Sequence, residues 1–337
     1  MRFFSDNTAS ACPEILAALQ EVNAGLVPAY GEDAWTQRLD ACFSSFFGTQ
    51  VCAFAVTTGT AANALSLATL APPYGAVFCH TEAHINVDEC GAPTFFSGGA
   101  VLVPLDGEHG RLAPADFGAA LAAHPTYVHS VQPAVLSLTQ ATELGTAYRP
   151  AELGALAALA HGRGLKVHMD GARFANALSF LGCHPGDITW RAGIDVLSFG
   201  ATKNGALAAE AVVFFDKSLV RDFGLRRKRA GHLLSKSRYV AAQLLAYLES
   251  GVWRRNAERS NRLAQRIGQA AGATLLHPVE ANEVFLKLGV ERRQALREAR
   301  FEFYDWGVES AGEARFVVSW DQPEAEVAAL CAALGRR

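Results

Sequence analysis

Three short segments place polar side chains directly after apolar runs, where the strands of a folded sheet would end. The first, Thr57–Asn63, joins three threonine hydroxyl groups to a glycine turn. Asp170 follows the run Leu165–Met169, and Lys203 follows the run Ile194–Phe199. Because ligands of open α/β sheets bind beyond the carboxyl ends of the strands, these segments are candidates for a single binding site.

Each segment also has an ordinary structural role when it is considered alone. Thr60 and Asp170 could each cap the helix that follows, and Lys203 could be a solvated loop residue. Together and in this order, the three supply what pyridoxal 5'-phosphate requires. A hydroxyl-rich helix start binds phosphate, a carboxylate keeps the pyridine nitrogen protonated, and a lysine amine forms a Schiff base. The combination therefore predicts pyridoxal 5'-phosphate as the cofactor.

The elements that would position these residues alternate between short apolar runs and helical stretches. The predicted strands are Val51–Val56, Tyr127–Val131, Leu165–Met169, Ile194–Phe199 and Ala211–Phe215. The predicted helices are Thr60–Leu70, Pro150–His161 and Arg173–Leu181. This alternation favours an α/β fold with a mostly parallel sheet covered by helices.

After about residue 217 the pattern changes to long amphipathic helices, predicted over Ser235–Glu249 and Val252–Ala270. The last 65 residues mix strands with helices and favour a small α+β domain. The strands predicted there are Thr274–Leu276, Val284–Leu288 and Arg315–Ser319, and the helices are Glu291–Arg300 and Pro323–Leu334. We expect a large cofactor-binding domain over residues 1–242, which includes the N-terminal segment, and a small C-terminal domain over residues 243–337.

The composition argues against several classes of function. A net charge of −3 gives no electrostatic reason to expect nucleic acid or a membrane surface as a partner. The seven cysteines include no Cys-x-x-Cys pair, so neither a disulfide framework nor a zinc ribbon is indicated. The uncharged stretch from Ala41 to Thr81 is broken by polar residues, and the N-terminus lacks a secretory pattern. We therefore expect a cytoplasmic protein.

His80 and His84 have a four-residue spacing that can bind a metal when it occurs on a helix. Here the pair follows the apolar run Ala76–Cys79, and we expect an extended segment that separates the two rings by about 13 Å. The prediction is that the two histidines share no metal.

The chain resembles the low-specificity L-threonine aldolases and phenylserine aldolase-like enzymes, within the aspartate-aminotransferase-like (fold type I) class of pyridoxal-phosphate enzymes. The resemblance covers nearly the whole chain. It is carried by Ser5–Asn7, Tyr30–Asp33, Thr57–Asn63, His84–Gly91, His168–Arg173, Ser198–Asn204 and Arg315–Trp320. It implies cleavage of a β-hydroxy-α-amino acid, such as L-threonine, L-allo-threonine or β-phenylserine, into glycine and an aldehyde. The alternatives are β-elimination or transamination on the same cofactor.

The resemblance also implies individual roles. Catalytic residues would be Lys203, His84, Asp170 and Arg173. Cofactor-binding residues would be Thr58, Gly59, Thr60, His84, Asp170, Arg173, Lys203 and Arg229, with His84 stacked on the pyridine face. Substrate-binding residues would be Ser5, Tyr30, Arg173 and Arg315. In this family Arg229 and Tyr30 would act across a dimer interface, so a homodimer or homotetramer with active sites at that interface is implied.

One departure from the family pattern leaves a catalytic step open. The family's second active-site histidine has no counterpart in Leu138–Glu143, where Gln140 lies near that position. Glutamine cannot act as a base at neutral pH. The proton of the substrate hydroxyl could therefore go to His84, to a water molecule or to the cofactor phosphate.

Overall fold

The strands form two sheets in the computed structural model, which describes residues 1–308 and 311–335. The strands are β1 Cys52–Val56, β2 Gly75–His80, β3 Val101–Leu105, β4 Gln132–Thr139, β5 Lys166–Gly171, β6 Val196–Gly200, β7 Glu210–Phe214, β8 Glu283–Lys287, β9 Tyr304–Trp306 and β10 Glu313–Val317. The α-helices are α1 Pro13–Val22, α2 Ala34–Gln37, α3 Leu39–Phe47, α4 Gly59–Leu70, α5 His84–Val87, α6 Ala92–Ser97, α7 Pro114–Ala123, α8 Pro150–His161, α9 Phe174–Leu181, α10 Phe223–Arg229, α11 Arg238–Glu249, α12 Val252–Ala271, α13 Val290–Glu298 and α14 Glu324–Gly335.

The larger sheet contains seven strands within the described residues, in the order β1-β7-β6-β5-β4-β2-β3. The strands from β3 through β6 pair in parallel, whereas β7 pairs antiparallel with both β6 and β1. Strands β2 and β6 are buried at every residue, which explains their almost uninterrupted apolar sequence. The predicted α/β fold with a mostly parallel sheet is confirmed. Its parallel strands bring the segments after β5 and β6 to the same edge.

Helix α4 anchors the threonine-rich turn. Every residue from Ala61 to Ala68 is buried, so the helix is covered on all sides rather than along one stripe. Alanines and leucines dominate this stretch and suit such complete burial. The turn that precedes α4 is therefore attached to a rigid part of the core.

The smaller sheet is antiparallel, in the order β8-β10-β9, and has its own apolar core with α12 and α14. The N-terminal segment joins this core rather than lying free. Phe3 is fully buried in it, and Val317 N donates to Phe3 O at 2.9 Å. This attachment fixes the position of Ser5 and Asn7, which follow. The division of the chain at residue 242 stays a prediction.

Most predicted elements are confirmed, with bounds shifted by a few residues, and Pro150–His161 keeps its predicted bounds. The predicted strand Tyr127–Val131 is wrong. Tyr127 and Val128 are 60% and 91% exposed, and strand pairing begins only where Gln132 N donates to Tyr74 O. Aromatic and β-branched residues favour strands, but no neighbouring strand of the described residues covers Tyr127 and Val128.

The predicted strand Thr274–Leu276 is also wrong. After α12 the chain makes a single 3-10 turn over residues 272–274, and Leu275 forms only an isolated bridge with Leu286.

No helix within residues 1–308 and 311–335 combines the length and apolar character that crossing a membrane requires.

Candidate active site

Two adjoining cavities lie at the edge where the parallel strands end, and they share Asn7, His84 and Lys203. The first has a volume of about 250 Å³ and is lined by Asn7, Thr57, Thr58, Gly59, Thr60, Asn63, His84, Glu89, Asp170, Ala172, Thr202, Lys203 and Glu210. The second has a volume of about 460 Å³ and is lined by Ser5, Asn7, Glu82, His84, Val87, Asp88, Glu143, Arg173, Lys203, Tyr304, Asp305, Trp306 and Arg315. The three predicted segments therefore meet at one site.

The threonine-rich turn forms the start of α4 on the wall of the first cavity. Thr58 is the N-cap residue, and its Oγ1 accepts from Ala61 N at 3.1 Å. The other N–H groups of the first helical turn have no acceptor within the helix, and the helix dipole favours an anion there. A Cβ atom at Gly59 would meet no other atom within 4 Å, so space is open beside the turn. This arrangement suits a phosphate group.

Asp170 is held rigidly at the end of β5 and is 4% exposed. Its Oδ2 accepts from Asn63 Nδ2 at 2.7 Å, and its Oδ1 accepts from Ala172 N at 2.9 Å. Asn63 Nδ2 also donates to Glu89 Oε1 at 2.8 Å. A single amide on α4 therefore orients two carboxylates toward the first cavity.

His84 begins the short helix α5, at the junction of the two cavities. Its Nδ1 lies 2.9 Å from Glu89 Oε1, and this hydrogen bond raises the pKa of the imidazole against the opposing effect of burial. Burial in turn raises the pKa of the Glu89 carboxyl. Asn63 Oδ1 and Glu89 Oε2 are buried and have no hydrogen-bond partner among the described residues. Unused acceptors beside a cavity indicate that a ligand completes the site.

The segment from His80 to His84 is not extended as predicted. His80 ends β2, a turn follows, and α5 begins at His84. His80 Nε2 lies 3.0 Å from Gly107 O and its Nδ1 accepts from Glu82 N, so its contacts differ from those of His84. Within the described residues no group of three or more His, Cys, Asp or Glu side chains is arranged to hold a metal ion.

Lys203 lies in a one-turn 3-10 helix directly after β6 and lines both cavities. The neighbouring Asn204 fixes this turn, because its Nδ2 donates to Tyr247 Oη at 2.6 Å and to Trp253 O at 2.8 Å. Gly205 follows with a φ of 113°, and a Cβ there would come within 2.7 Å of Asn256 Nδ2. The local sequence thus permits a tight turn that presents the lysine amine to the junction of the cavities.

Arg173 lines the second cavity, yet most of its donors are already engaged. Its Nε and Nη2 donate to the two oxygens of Asp6 at 2.8 and 3.1 Å. Nη2 also lies 3.4 Å from Glu283 Oε1, and Nη1 lies 4.0 Å from Glu143 Oε2. Although burial opposes it, the charge of Arg173 lowers the pKa of Asp6 to about 2. The guanidinium is therefore locked in place and only 5% exposed.

Arg315 is the more available guanidinium of the second cavity. It stacks on the rings of Tyr304 and Trp306, with centroid distances of 5.3 and 5.0 Å. Its Nε is buried and makes no hydrogen bond within the described part of the chain. Ser5 lines the same cavity, and its Oγ accepts from Asn7 N at 3.1 Å. These side chains could bind a carboxylate.

Tyr30 and Arg229 lie outside the described lining of both cavities. Tyr30 is about half exposed, and Lys228 Nζ lies 4.6 Å from the centre of its ring. Arg229 is exposed on α10. Their predicted roles across a subunit interface stay predictions, because they concern a second copy of the chain.

Gln140 does not reach the site. It is fully buried; its Nε2 donates to Tyr148 O and its Oε1 accepts from Tyr148 N, both at 2.9 Å. Its side chain therefore stabilises a loop instead of replacing an active-site histidine. Glu143, three residues later, lines the second cavity.

Several site residues were missed by sequence reasoning. They are Asn7, Glu89, Glu143, Glu210 and Glu283. Glu210 begins β7 beside Lys203, and burial raises the pKa of its carboxyl to about 7. Asn7 and Glu89 lie in the segments Ser5–Asn7 and His84–Gly91 that carry the family resemblance, and the signal for Glu210 was a charged residue at the start of the apolar run Ala211–Phe215.

The residues of the first cavity fit pyridoxal 5'-phosphate. The helix start supplies donors for phosphate, Asp170 supplies a fixed carboxylate and Lys203 supplies an amine, and all of them line the same cavity. The unused acceptors Asn63 Oδ1 and Glu89 Oε2 show that the polar lining is incomplete without a ligand.

The chain is similar in sequence and in fold to known proteins. A sequence model of the family described as beta-eliminating lyase matches residues 2–290. The chain is 45% identical over 335 residues to the low-specificity L-threonine aldolase of Pseudomonas sp. (strain NCIMB 10558), covering 98% of this chain and 96% of that protein. The enzyme of the same name from Pseudomonas aeruginosa is 46% identical over 324 residues, with coverages of 95% and 93%. The solved threonine aldolase of Leishmania major superposes with a TM-score of 0.93 at 25% identity, covering 99% of this chain and 98% of that one.

Proposed function

We infer that this chain, which belongs to the beta-eliminating lyase family, is a pyridoxal-phosphate-dependent aldehyde-lyase that cleaves β-hydroxy-α-amino acids into glycine and an aldehyde. The observation that carries this inference is the convergence of Lys203, Asp170 and the Thr58–Thr60 turn on one cavity, in a chain so similar to low-specificity L-threonine aldolases. L-Threonine, L-allo-threonine and β-phenylserine are the proposed substrates.

The first cavity binds and orients the cofactor. The helix start at Thr58, Gly59 and Thr60 holds the phosphate, and Lys203 provides the amine for covalent attachment. Asp170, fixed by Asn63, keeps a proton on the pyridine nitrogen. When bound, pyridoxal 5'-phosphate supplies an electron sink for the electron pair left on the substrate α-carbon.

The second cavity holds the substrate. Arg315, supported by its two aromatic neighbours, binds the substrate carboxylate together with Ser5. Arg173 contributes positive charge and the one guanidinium nitrogen, Nη1, that Asp6 does not use. Fixing the carboxylate fixes the orientation of the bond that breaks, which is the main use of such a clamp.

We assign removal of the β-hydroxyl proton to Nε2 of His84. The ring lies at the junction of the cavities, and Nδ1 is bound to Glu89. Nε2 lies 3.6 Å from Oδ2 of the exposed Asp88, a solvent-screened contact that a substrate hydroxyl can displace. Gln140 is buried against Tyr148 and offers no competing group. The hydrogen bond to Glu89 also makes His84 a stronger base.

The reaction class can be tested with β-phenylserine and the purified yellow holoenzyme. Release of benzaldehyde and glycine, followed by the ultraviolet absorbance of benzaldehyde, is the expected result. Formation of ammonia and a keto acid, or conversion of the cofactor to its amine form, would replace our assignment with elimination or transamination. Lys203→Ala should lose the visible absorbance of the bound cofactor while keeping the native circular dichroism, whereas the exposed Lys217→Ala should keep both.

We further propose a cytoplasmic homodimer or homotetramer in which Tyr30 and Arg229 complete the partner's active site. The exposure of Arg229 and Tyr30 on one chain supports this proposal. Inactive Lys203→Ala and inactive Arg229→Ala enzymes should regain activity when they are unfolded together and refolded, because mixed dimers contain one intact site. Absence of recovery despite dimer formation would place Arg229 in its own subunit's site or outside the site.

A further inference from the structure

Three carboxylates lie around Arg173, and Arg315 is the second guanidinium group of the same cavity. Asp6 accepts two hydrogen bonds from Arg173, Glu283 Oε1 lies 3.4 Å from Arg173 Nη2, and Glu143 Oε2 lies 4.0 Å from Arg173 Nη1. The strand register places Arg315 and Glu283 diagonally on the same face of β8 and β10. When all five groups are ionised, the cluster carries one negative charge more than it has positive charges.

A substrate carboxylate adds another negative charge to this cluster. Arg173 is buried, and Arg315 is stacked on the ring of Trp306. Water therefore screens the repulsion between the carboxylates poorly. Glu82, Asp88 and Asp305 line other parts of the same cavity and add negative charge. The other basic residues of its lining are His84, which is bound to Glu89, and Lys203, whose amine holds the cofactor in the proposed holoenzyme. Protonation of one carboxylate of the cluster would relieve this repulsion and favour substrate binding.

Glu283 is the member of the cluster that is least able to remain ionised. It is 1% exposed, and neither oxygen has a hydrogen-bond partner among the residues that the structure describes. Burial raises the pKa of its carboxyl, with Glu143 and Asp6 acting in the same direction and Arg173 and Arg315 opposing them. Asp6, by contrast, has hydrogen bonds from both Arg173 and Asn282, and Glu143 is closer to solvent.

We propose that Glu283 takes up a proton when the substrate carboxylate binds beside Arg315 and Arg173, and that it thereby acts as a positioning residue of the carboxylate site. This proposal rests on the function proposed above, since it requires a carboxylate ligand in the second cavity. The protonated Glu283 leaves the positive charge of the arginines available to the substrate. Binding of the carboxylate is thus coupled to pH through a residue that does not touch the reacting atoms.

The coupling can be measured with 3-hydroxybutyrate, which keeps the carboxylate and the β-hydroxyl of the substrate but has no amino group to react with the cofactor. Titration calorimetry of the holoenzyme in buffers with different heats of ionisation gives the number of protons taken up on binding. At pH values above the pKa of Glu283 in the free enzyme, we expect two effects. Proton uptake on binding should approach one proton per site, and the dissociation constant of 3-hydroxybutyrate should rise by up to about tenfold per pH unit. Both effects should vanish at low pH, where Glu283 is already protonated.

Glu283→Gln should abolish the proton uptake and make the dissociation constant independent of pH in this range. Glu291→Gln, which removes an exposed carboxylate of the small domain, should behave like the unmodified enzyme. If Glu143→Gln abolishes the uptake and Glu283→Gln does not, the proton goes to Glu143 and the proposal is overturned. If Glu283→Gln fails to fold, absence of proton uptake by the unmodified enzyme still overturns the proposal, and uptake that persists in Glu143→Gln excludes Glu143 as the acceptor.

The outcomes also separate this proposal from the proposed function. An enzyme that releases benzaldehyde from β-phenylserine, and yet takes up no proton with 3-hydroxybutyrate, overturns only the role of Glu283. If 3-hydroxybutyrate does not bind even at high concentration, the carboxylate site itself is overturned, and the proposal for Glu283 with it. Proton uptake that disappears in Glu283→Gln, in an enzyme that cleaves β-phenylserine, supports both.

Discussion

The side-chain amide of Asn63 joins Asp170 to Glu89, because Nδ2 donates to both carboxylates at 2.7 and 2.8 Å. Asp170 is the residue proposed to pair with the pyridine nitrogen, and Glu89 binds His84, the proposed base. One amide on the first turns of α4 therefore connects the proposed partner of the cofactor ring to the residue that holds the proposed base. The proposed phosphate site lies at the start of the same helix.

Replacing Asn63 with aspartate should weaken cofactor binding without a large change in side-chain volume. The variant loses both hydrogen bonds and adds a third carboxylate beside two that are already buried. Hydrogen bonds to charged groups contribute about 1.5–3 kcal/mol each, so the cofactor dissociation constant should rise at least about tenfold. Fluorescence titration of the apoenzyme with pyridoxal 5'-phosphate measures this change. The exposed Asn86→Asp is the matched control, and equal affinities in the two variants would contradict the role given to Asn63.

Glu89→Gln should shift the pH dependence of the reaction toward lower pH. The hydrogen bond from Glu89 is the main cause that raises the pKa of His84. Without the carboxylate, His84 loses its proton at a lower pH, so the neutral form that accepts the hydroxyl proton appears earlier as the pH rises. The acid limb of kcat/KM for β-phenylserine should move accordingly, and NMR titration of the His84 ring should give the same shift.

The exposed Glu21→Gln provides the control for this experiment, and its profile should match that of the unmodified enzyme. An unchanged acid limb in Glu89→Gln, together with a shifted His84 titration, would show that another group accepts the proton.

The two arginines of the second cavity should respond differently to replacement by lysine. Arg315→Lys loses the planar donor pair that binds a carboxylate, so KM for the amino acid should rise about tenfold or more while the protein stays stable. Arg173→Lys keeps the positive charge but loses the paired hydrogen bonds to the buried Asp6, and it should lower the free energy of unfolding by about 1.5–3 kcal/mol. Each variant is the control for the other. Steady-state kinetics measures KM and thermal denaturation measures stability. If Arg173 were the main substrate ligand, KM would rise more in Arg173→Lys than in Arg315→Lys.

The positions of Asp170 and Lys203 could be predicted from the sequence because both depend on one local rule. Asp170 lies at the end of β5 and Lys203 just after β6, and these two parallel strands end at the same edge of the sheet. The turn before α4 obeys the same rule and was found in the same way, although its strand β1 pairs antiparallel with β7. Local patterns were therefore sufficient wherever the site is built from strand ends.

The engagement of Arg173 by Asp6 and Glu283 could not be predicted, because it depends on contacts between distant parts of the chain. Asp6 is 167 residues from Arg173 in sequence, and it reaches the arginine only because Phe3 is anchored in the small core. The burial of Gln140 has the same origin, since both of its side-chain bonds go to Tyr148 in the following loop. Spacing and composition contain no information on such pairings.

The prediction of a strand over Tyr127–Val131 was wrong for a related reason. Strand propensity describes how a side chain fits a partly buried pleated surface, and it does not determine whether a neighbouring strand is present. Tyr127 and Val128 lie in an exposed turn just before β4, whereas the buried residues of that strand begin at Val135.

Glu210 should make the stability of the protein decrease as the pH rises from about 4.5 to about 7. Burial raises the pKa of this carboxyl from 4.5 to about 7, so between these values the folded state binds a proton that the unfolded state does not. The stabilisation is complete below the lower value and is lost as the pH passes the upper one, with a maximum loss of about 3 kcal/mol. Glu210→Gln removes the titration, so its free energy of unfolding should exceed that of the unmodified protein increasingly over this range. Urea denaturation of the cofactor-free protein at several pH values measures the difference.

The pH dependence of stability must be compared with that of Glu210→Gln, because His168 makes the stability increase with pH over an overlapping pH range. Its ring is buried between Ser137 and Ser198, and burial lowers its pKa to about 4. The unfolded state therefore binds the extra proton between about 4 and 6.5, and this contribution increases stability as the pH rises. Subtracting the two proteins cancels the histidine and leaves Glu210. A difference that stays constant across the range would mean that Glu210 is already ionised in the folded protein, paired with Lys203 rather than buried as the neutral acid.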